Sequence, residues 1–126
     1  MANPNIVSVT SILGNTTFVT PANTSANVLL SNAASSGDVL KINQIVAANV
    51  DGTGAVDCTV TINSAAAGGG TAYPIVSTVS VPADASIIVT DKTTAIYLME
   101  DQSIVVTSGT ASGISYTISY EAISSS

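Results

Sequence analysis

Few residues of this chain have side chains suited to catalysis. The sequence contains no histidine, arginine or tryptophan, and its one cysteine is Cys58. This inventory removes the usual general bases, zinc sites and cysteine–histidine pairs. A lone cysteine cannot form an internal disulfide. The alternation over residues 56–63 places Cys58 inward, where we expect it to be a small buried apolar residue. We predict a protein that is not an enzyme and has no catalytic residues.

Two neighbouring acids, Glu100 and Asp101, are the best remaining candidates for acid–base chemistry. Glycosidases place two carboxylates on either side of the bond they cleave, and Asp84 could complete such a site. Neighbouring residues of a strand point to opposite faces, however, and acidic residues favour turns. The sequence therefore favours a turn at Glu100-Asp101. A weak carbohydrate hydrolase is the third hypothesis for function, and it requires these carboxylates to share a cleft.

Two glycine-rich segments have features of ion-binding loops. Residues 51–54 and Asp57 supply the acids and glycines of a loose calcium loop, but their spacing does not fit the EF-hand pattern. Residues 68–70 are all glycine, yet no lysine follows them and they open no helix, as a phosphate-binding loop would. We predict a hairpin turn for the first segment, a mobile loop for the second, and no cofactor-binding or metal site. The sequence leaves open whether a calcium ion binds near Asp51.

Four tyrosines could stack against sugars in a spike or lectin-like domain. They are Tyr73, Tyr97, Tyr116 and Tyr120. Tyr116 and Tyr120 alternate with Ile118, so that in a strand all three share one face. Apolar neighbours on the same face favour the core or a subunit interface for these two rings.

Strands must position these side chains. Apolar and polar residues alternate with period two along the chain, and no convincing helical stripe with caps occurs. We predict strands at residues 6–10, 16–20, 26–31, 39–50, 56–63, 73–81, 86–90, 95–99, 103–108 and 113–123. Such short, numerous strands favour an all-β fold, a two-sheet antiparallel β-sandwich that is jelly-roll-like, with about 8–10 strands. Residues 13–126 are predicted to form this single domain, and residues 1–12 an N-terminal arm that reaches a neighbour.

Three segments support more detailed predictions. In residues 113–123 and 56–63, the apolar residues at alternate positions are expected to face inward. The outward positions of 56–63 are Asp57, Thr59, Thr61 and Asn63. In residues 39–50 the apolar phase shifts near Asn43-Gln44, which predicts either a β-bulge or a strand that crosses between sheets. Leu13-Gly14-Asn15 is predicted to be a turn.

The chain has an unusually neutral surface. Only 8% of its residues are charged, whereas globular domains average about 25%. Burial of such a surface in an assembly requires little desolvation of charge. The net charge is −6, with Lys41 and Lys92 as the only basic residues, so we expect no nucleic-acid partner.

No segment predicts export or membrane insertion. The amino terminus lacks the basic and apolar regions of a secretory signal, and no stretch approaches the roughly 18 apolar residues of a membrane helix. Asn15 and Asn23 begin segments that match the N-glycosylation pattern, but a chain without a secretion signal does not meet that machinery. We expect the protein to stay inside the producing cell until it is assembled or released.

Short motifs in the second half of the chain follow a recognisable order. They are Asp51-Gly52, Val56-Asp57-Cys58-Thr59-Val60, Gly70-Thr71-Ala72-Tyr73, Val79-Ser80-Val81-Pro82-Ala83-Asp84-Ala85-Ser86, Val89-Thr90-Asp91-Lys92, Ile96-Tyr97-Leu98, Glu100-Asp101-Gln102-Ser103-Ile104 and Ile118-Ser119-Tyr120-Glu121-Ala122-Ile123-Ser124. Over residues 39–124 this order resembles the small virion structural proteins of marine tailed phages, cyanophages among them. The chain departs from that pattern where the acidic turn reads Glu100-Asp101-Gln102 without a glycine, and where Cys58 replaces an aliphatic residue.

The resemblance implies a role and no catalytic mechanism. We expect a capsid decoration or cement protein that stabilises the capsid lattice, located on the virion. Its expected partners are the major capsid protein and copies of itself, as a homotrimer, with no membrane partner. The alternative is a tail-fibre or head-spike module that binds a receptor or glycan on the host surface. That alternative predicts exposed aromatic side chains in loops, at Tyr73 and Tyr97.

Overall fold

A computed structural model describes residues 11–91 and 96–124 of the chain. Within them lie nine strands and one short 3₁₀ turn, Ala66–Gly68. The strands are β1 (Ser11–Val19), β2 (Asn27–Asn32), β3 (Asp38–Asn49), β4 (Val56–Asn63), β5 (Ala72–Val81), β6 (Ser86–Thr90), β7 (Ile96–Leu98), β8 (Gln102–Ser108) and β9 (Ile114–Ser124). They form two antiparallel sheets that pack face to face, which confirms the predicted all-β sandwich.

The first strand pairs with the last, and the following strands pair in the same nested order towards the middle of the sequence. β1 pairs with β9, β2 with β8, β3 with β6 and β7, and β4 with β5, all antiparallel. The first sheet has the order β1-β9-β3-β6, with β7 beside β6 on the same edge of β3, and the second has the order β2-β8-β4-β5. This is a long hairpin rolled over two sheets, the arrangement of a jelly roll.

The core lies between the two sheets and is built from alternate positions of each strand. Ile114, Tyr116 and Ile118 of β9 are fully buried, as the alternation predicts. Val60 of β4 and Ile104 of β8 meet them from the opposite sheet, also with no exposed surface. Each such aliphatic side chain stabilises the fold by about 1.5–3 kcal/mol through removal of apolar surface from water.

β3 contains the irregularity that its sequence predicts. Its pairing with β9 shifts register between Ile42 and Gln44, so that Asn43 is the extra residue of a β-bulge. The bulge keeps Ile42 and Ile45 both in the core, because one added residue restores the alternation on the inner face. The strand stays in one sheet, so the first of the two predicted explanations is the correct one.

Buried asparagines end two strands at opposite ends of the sandwich. Asn49, the last residue of β3, donates from Nδ2 to the carbonyls of Gly54 and Val81, both at 2.9 Å. Asn32, the last residue of β2, donates to carbonyls at the start of β3 and the end of β7, at 3.0 and 3.1 Å. Each amide therefore links one sheet to the other: Asn49 of β3 bonds β5, and Asn32 of β2 bonds β3 and β7.

Asn63, the last residue of β4, lies on the outer face of its sheet as predicted, beside Thr61, whose hydroxyl lies 2.8 Å from Asn63 Oδ1, but it is not open to solvent. Asn63 is buried, and its Nδ2 donates to the carbonyl of Gly68 at 3.0 Å. The physical reason is the loop at residues 64–70, which folds back over this end of β4 and needs an amide to satisfy its carbonyl.

The structure also corrects the first predicted strand. β1 runs from Ser11 to Val19 without a break, so Leu13-Gly14-Asn15 is no turn. Its register with β9 is unshifted along all nine residues, and this pairing holds Gly14 in an extended chain. Of the predicted arm at residues 1–12, Ser11 and Ile12 form the start of β1. Residues 1–10, with the predicted strand 6–10, lie outside the described residues.

We expect Ile118→Ala to lower the free energy of unfolding by about 2–5 kcal/mol, because it opens a cavity between the sheets. Urea unfolding followed by circular dichroism measures this loss. The matched control is Ile88→Ala in β6, where the side chain is 61% exposed and the change is expected to stay within about 0.5 kcal/mol. Equal losses in the two variants would contradict the position of Ile118 in the core.

Candidate functional site

The two neighbouring acids lie in the turn between β7 and β8, as predicted. Glu100 Oε2 accepts the backbone N–H of Gly37 at 3.1 Å, and Asp101 Oδ1 accepts that of Ala66 at 3.0 Å. Asp101 has a positive φ of 59°, a backbone conformation that aspartate tolerates better than most residues. Both carboxylates therefore hold loops in place.

Asp84 lies far from these two acids. Asp84 belongs to the turn between β5 and β6. This turn adjoins the last residue of β3, since the N–H of Asn49 donates to the carbonyl of Ala85 at 2.8 Å. Glu100 binds Gly37, which precedes the first residue of β3. The twelve residues of β3 span roughly 35 Å, so the acids occupy opposite ends of the sandwich. This separation removes the shared cleft that the hydrolase hypothesis requires.

The segment proposed as a calcium loop is closed by its own hydrogen bonds. Asp51 Oδ2 accepts the hydroxyl of Thr53 at 2.5 Å, and the N–H of Asp51 donates to Asn49 Oδ1 at 2.8 Å. Gly52 has a φ of +77°, a conformation that glycine adopts readily. The predicted hairpin is wrong, because β3 and β4 belong to different sheets and residues 51–54 connect the two sheets. In the part of the chain that the structure describes, no three histidine, cysteine or acidic side chains come together as metal ligands do.

The glycine-rich loop at residues 64–70 is anchored, so the prediction of a mobile loop is wrong. Three successive backbone N–H groups, those of residues 66, 67 and 68, donate to Asp101 Oδ1, Ser31 Oγ and Ser103 Oγ at 2.9–3.0 Å. Ser103 Oγ in turn donates to the carbonyl of Ala65 at 2.8 Å. The N–H groups that a phosphate cradle would offer are thus occupied by the protein's own side chains.

The tyrosines divide into two groups. Tyr116 is fully buried and Tyr120 half-buried, both packed with the core, which confirms the prediction for these two rings. Tyr73 is 60% and Tyr97 43% exposed. They lie in β5 and β7 and not in loops. The cross-strand neighbour of Tyr97 is Lys41, whose Nζ lies 3.9 Å from a carboxylate oxygen of Glu121.

Cys58 and Tyr116 meet across the core, one from each sheet. Burial raises the pKa of the Cys58 thiol, and the negative charge of Asp57 adds to this. Burial also raises the pKa of the Tyr116 hydroxyl, which donates to the carbonyl of Thr107 at 2.6 Å. Both groups therefore hold their protons and act as core residues, as predicted for Cys58.

The surface feature that sequence reasoning missed is the exposure of β1. Phe18 is 73%, Leu13 61% and Ile12 54% exposed, more than most apolar side chains of the described residues. Ile12 and Leu13 are adjacent, so they point to opposite faces of the strand, and both faces are open. The sequence signal for this exposure was that the apolar residues Ile12 and Leu13 are adjacent and do not fit an alternating pattern. The predicted turn at Leu13-Gly14-Asn15 obscured it.

The described residues contain no helix with the length and apolarity needed to cross a membrane. No protein-family profile and no curated protein matches the chain. Among solved structures, one from work on Bacillus endospore appendages, described as a novel family of disulfide-linked pili, is 17% identical with a TM-score of 0.49. The alignment covers 99% of this chain and 94% of that chain. At this level of similarity the likeness supports no inference about the present chain.

We expect Ser103→Ala to release the loop at residues 64–70. The change removes the acceptor for Gly68 N–H and the donor for the Ala65 carbonyl, which costs about 1–3 kcal/mol of the free energy of unfolding. Amide hydrogen exchange of residues 66–68 is expected to accelerate. In the control variant, Ser80→Ala on the exposed face of β5, both quantities stay unchanged. Unaltered exchange in Ser103→Ala would contradict the anchoring role of the hydroxyl.

We expect the protein to lose stability in alkaline solution. Because burial raises the pKa values of Cys58 and Tyr116, the folded state binds these protons more tightly than the unfolded state. The stabilisation is complete below the unfolded pKa values, about 8.5 for cysteine and 10 for tyrosine, and declines as the pH rises above them. Urea unfolding at pH 7, 9 and 10.5 measures the decline. In Cys58→Ala the decline in the free energy of unfolding is expected to begin at a higher pH. A decline that begins at the same pH as in the parent protein would contradict the contribution of the thiol.

Proposed function

We propose that this chain is a structural protein of a phage virion, a decoration or cement protein that stabilises the capsid lattice. The observation that carries the proposal is the neutral, partly apolar surface, with large exposed side chains such as Phe18, Leu13 and Ile88 on the outer strands. A surface of low charge with exposed apolar side chains can be covered by another protein at little cost in desolvation. The resemblance over residues 39–124 to virion proteins of marine tailed phages supports a capsid as the assembly.

The fold suits a passive subunit. Three of the described acids hold turns and loops: Glu100 and Asp101 bind backbone N–H groups, and Asp51 accepts the hydroxyl of Thr53. A rigid sandwich with little surface charge contacts neighbours at a small desolvation cost. Stabilisation of a shell then arises from many copies, each of which adds a modest buried area at a subunit boundary.

The proposed partners follow from charge and symmetry. A net charge of −6 opposes contact with the phosphates of packaged nucleic acid and leaves protein surfaces as the partners. We propose the major capsid protein and further copies of this chain. Decoration proteins that occupy symmetric lattice points cluster as closed oligomers, and the homotrimer is our proposed form.

A second candidate function is a tail-fibre or head-spike module that binds a host glycan or receptor. The exposure of Tyr73 and Tyr97 favours it, because an open aromatic ring can stack on a sugar. Tyr97 also lies beside Lys41 and Glu121, which offer a donor and an acceptor for sugar hydroxyls. The two rings lie in opposite sheets, however, so they do not form one platform.

We expect hundreds of copies of this chain per particle, because a lattice decoration protein occupies repeated sites. Quantitative mass spectrometry of purified virions, with the major capsid protein as internal standard, measures the ratio. Capsids that lack the chain are expected to release their nucleic acid at a lower temperature than complete capsids.

A few tens of copies or fewer would contradict the decoration role and favour the fibre or spike. In that event Tyr97→Ala would reduce adsorption of particles to host cells, whereas Ser80→Ala, an exposed residue without an aromatic ring, would leave adsorption unchanged. Adsorption that is unaffected by Tyr97→Ala would contradict the second candidate in turn.

A further inference from the structure

The two sheets have four edges, and three of them carry features that hinder addition of another strand. β5 contains Pro74, which has no N–H to donate, and Thr78 at a positive φ of 48°. β2 is six residues long, with a register shift between Val28 and Leu30. The edge formed by β6 and β7 consists of two pieces, of five and three residues. Bulges, prolines and short edge strands all protect natural sheets against unwanted pairing.

β1 is the exception among the described edges. It is nine residues long, its register with β9 is unshifted, and it contains neither proline nor a charged residue. Alternate residues of β1 direct their N–H and C=O groups away from β9, because an antiparallel ladder uses only every second residue on each side. An unprotected edge of this length is a template for another strand.

The charge distribution along β1 suits a second copy of this chain as the partner. Two copies that each carry a net charge of −6 repel one another wherever their acids meet. β1 is uncharged, and Glu121, which lies opposite Gly14 in β9, is paired with Lys41. This edge therefore lets two copies approach without bringing acids together. Binding of a basic partner would instead require acidic residues along the strand, and β1 has none.

The sequence of β1 is complementary to itself. If two copies pair antiparallel with full overlap, the twofold axis passes through Asn15, and Ile12 of one copy lies opposite Phe18 of the other. The two residues share a face, since their partners in β9, Ile123 and Thr117, are an even number of residues apart. It is the outer face, because Thr117 lies between Tyr116 and Ile118, which point into the core. The contact then contains two equivalent apolar pairs, as an interface with twofold symmetry requires.

We propose that β1 pairs antiparallel with β1 of a second copy, centred on Asn15, so that the two five-stranded sheets become one continuous sheet. This contact deepens the self-association in the proposed function and rests on that function for its role in a particle. The interface is twofold, so it links copies in pairs. A homotrimer would need an additional surface.

The first test is the oligomeric state of the full chain in solution. Sedimentation velocity over a range of concentrations is expected to show dimers that dissociate on dilution. The double variant Ile12→Thr, Phe18→Thr is expected to raise the dissociation constant at least tenfold, with an unchanged circular dichroism spectrum. The matched control is Ile88→Thr. Ile88 lies on the outer face of the same sheet at its opposite edge, in the row Phe18–Thr117–Val46–Ile88. This control is expected to dimerise like the parent.

The second test reports the register. Directly opposite residues of antiparallel strands have Cα atoms about 4.5–5.5 Å apart, within reach of a disulfide. Asn15→Cys is therefore expected to form a covalent dimer on mild oxidation, whereas Ile88→Cys stays monomeric on a denaturing gel. Cys58 is fully buried and does not contribute. Equal cross-linking of both variants, or none in Asn15→Cys, would overturn the proposed register.

The outcomes separate this contact from the proposed function. A chain that is monomeric at all concentrations overturns the inference, and slow amide exchange along β1 in that monomer would show that a segment of the same chain covers the edge. A monomer that still occurs in hundreds of copies per virion overturns the contact and leaves the decoration role intact. A dimer with intact register, found in only a few copies per particle, supports the contact and contradicts the decoration role.

Discussion

The ends of the sandwich are closed mainly by hydrogen bonds of neutral side chains, with Glu100 and Asp101 as the charged exceptions, and the rest of the structure depends on this. With 8% charged residues and two lysines, the chain has few ion pairs available, so asparagine and serine side chains satisfy the buried backbone groups of its loops. Asn32, Asn49 and Asn63 each end a strand and each bind at least one carbonyl of another segment. Ser103 does the same from the start of β8. Because these contacts carry no net charge, they fix the loops and leave the surface neutral.

Much of the fold could be predicted because each sheet of the sandwich has one buried face and one face exposed to solvent. In β4 and β9 this difference produces a clear alternation, and the predicted segments 56–63 and 113–123 match the observed strands closely. The bulge at Asn43 was visible as a change of apolar phase. The turn at Glu100-Asp101 was predictable from its acidic residues, and Asp101 there adopts a positive φ.

The errors arose where a long-range contact overrides local sequence. Gly14 and Asn15 have the composition of a turn, but pairing with β9, a segment about a hundred residues away, keeps them extended. The glycines at 68–70 are typical of a mobile segment, yet Ser31, Asp101 and Ser103 bind the backbone just before them. A single sequence does not reveal such partners, because local composition carries no information about which distant residues lie opposite. The exposed face of β1 was missed for the same reason.

The position of β9 has a consequence for biosynthesis. β9 lies between β1 and β3 and is the last strand of the described chain to leave the ribosome. Until it emerges, β1 lacks its strand partner, and β3 can pair only with β6 and β7. The hydroxyls of Thr16 and Ser119, which lie 2.9 Å apart in the fold, are 103 residues apart in the sequence. The first sheet therefore closes only after translation of β9, a pattern that slows folding and leaves β1 unpaired until β9 is made. When several copies are translated close together on one message, their unpaired β1 strands are near one another during that interval. Premature association through these strands is then most favoured, and it is the stage at which a chaperone protects the chain most.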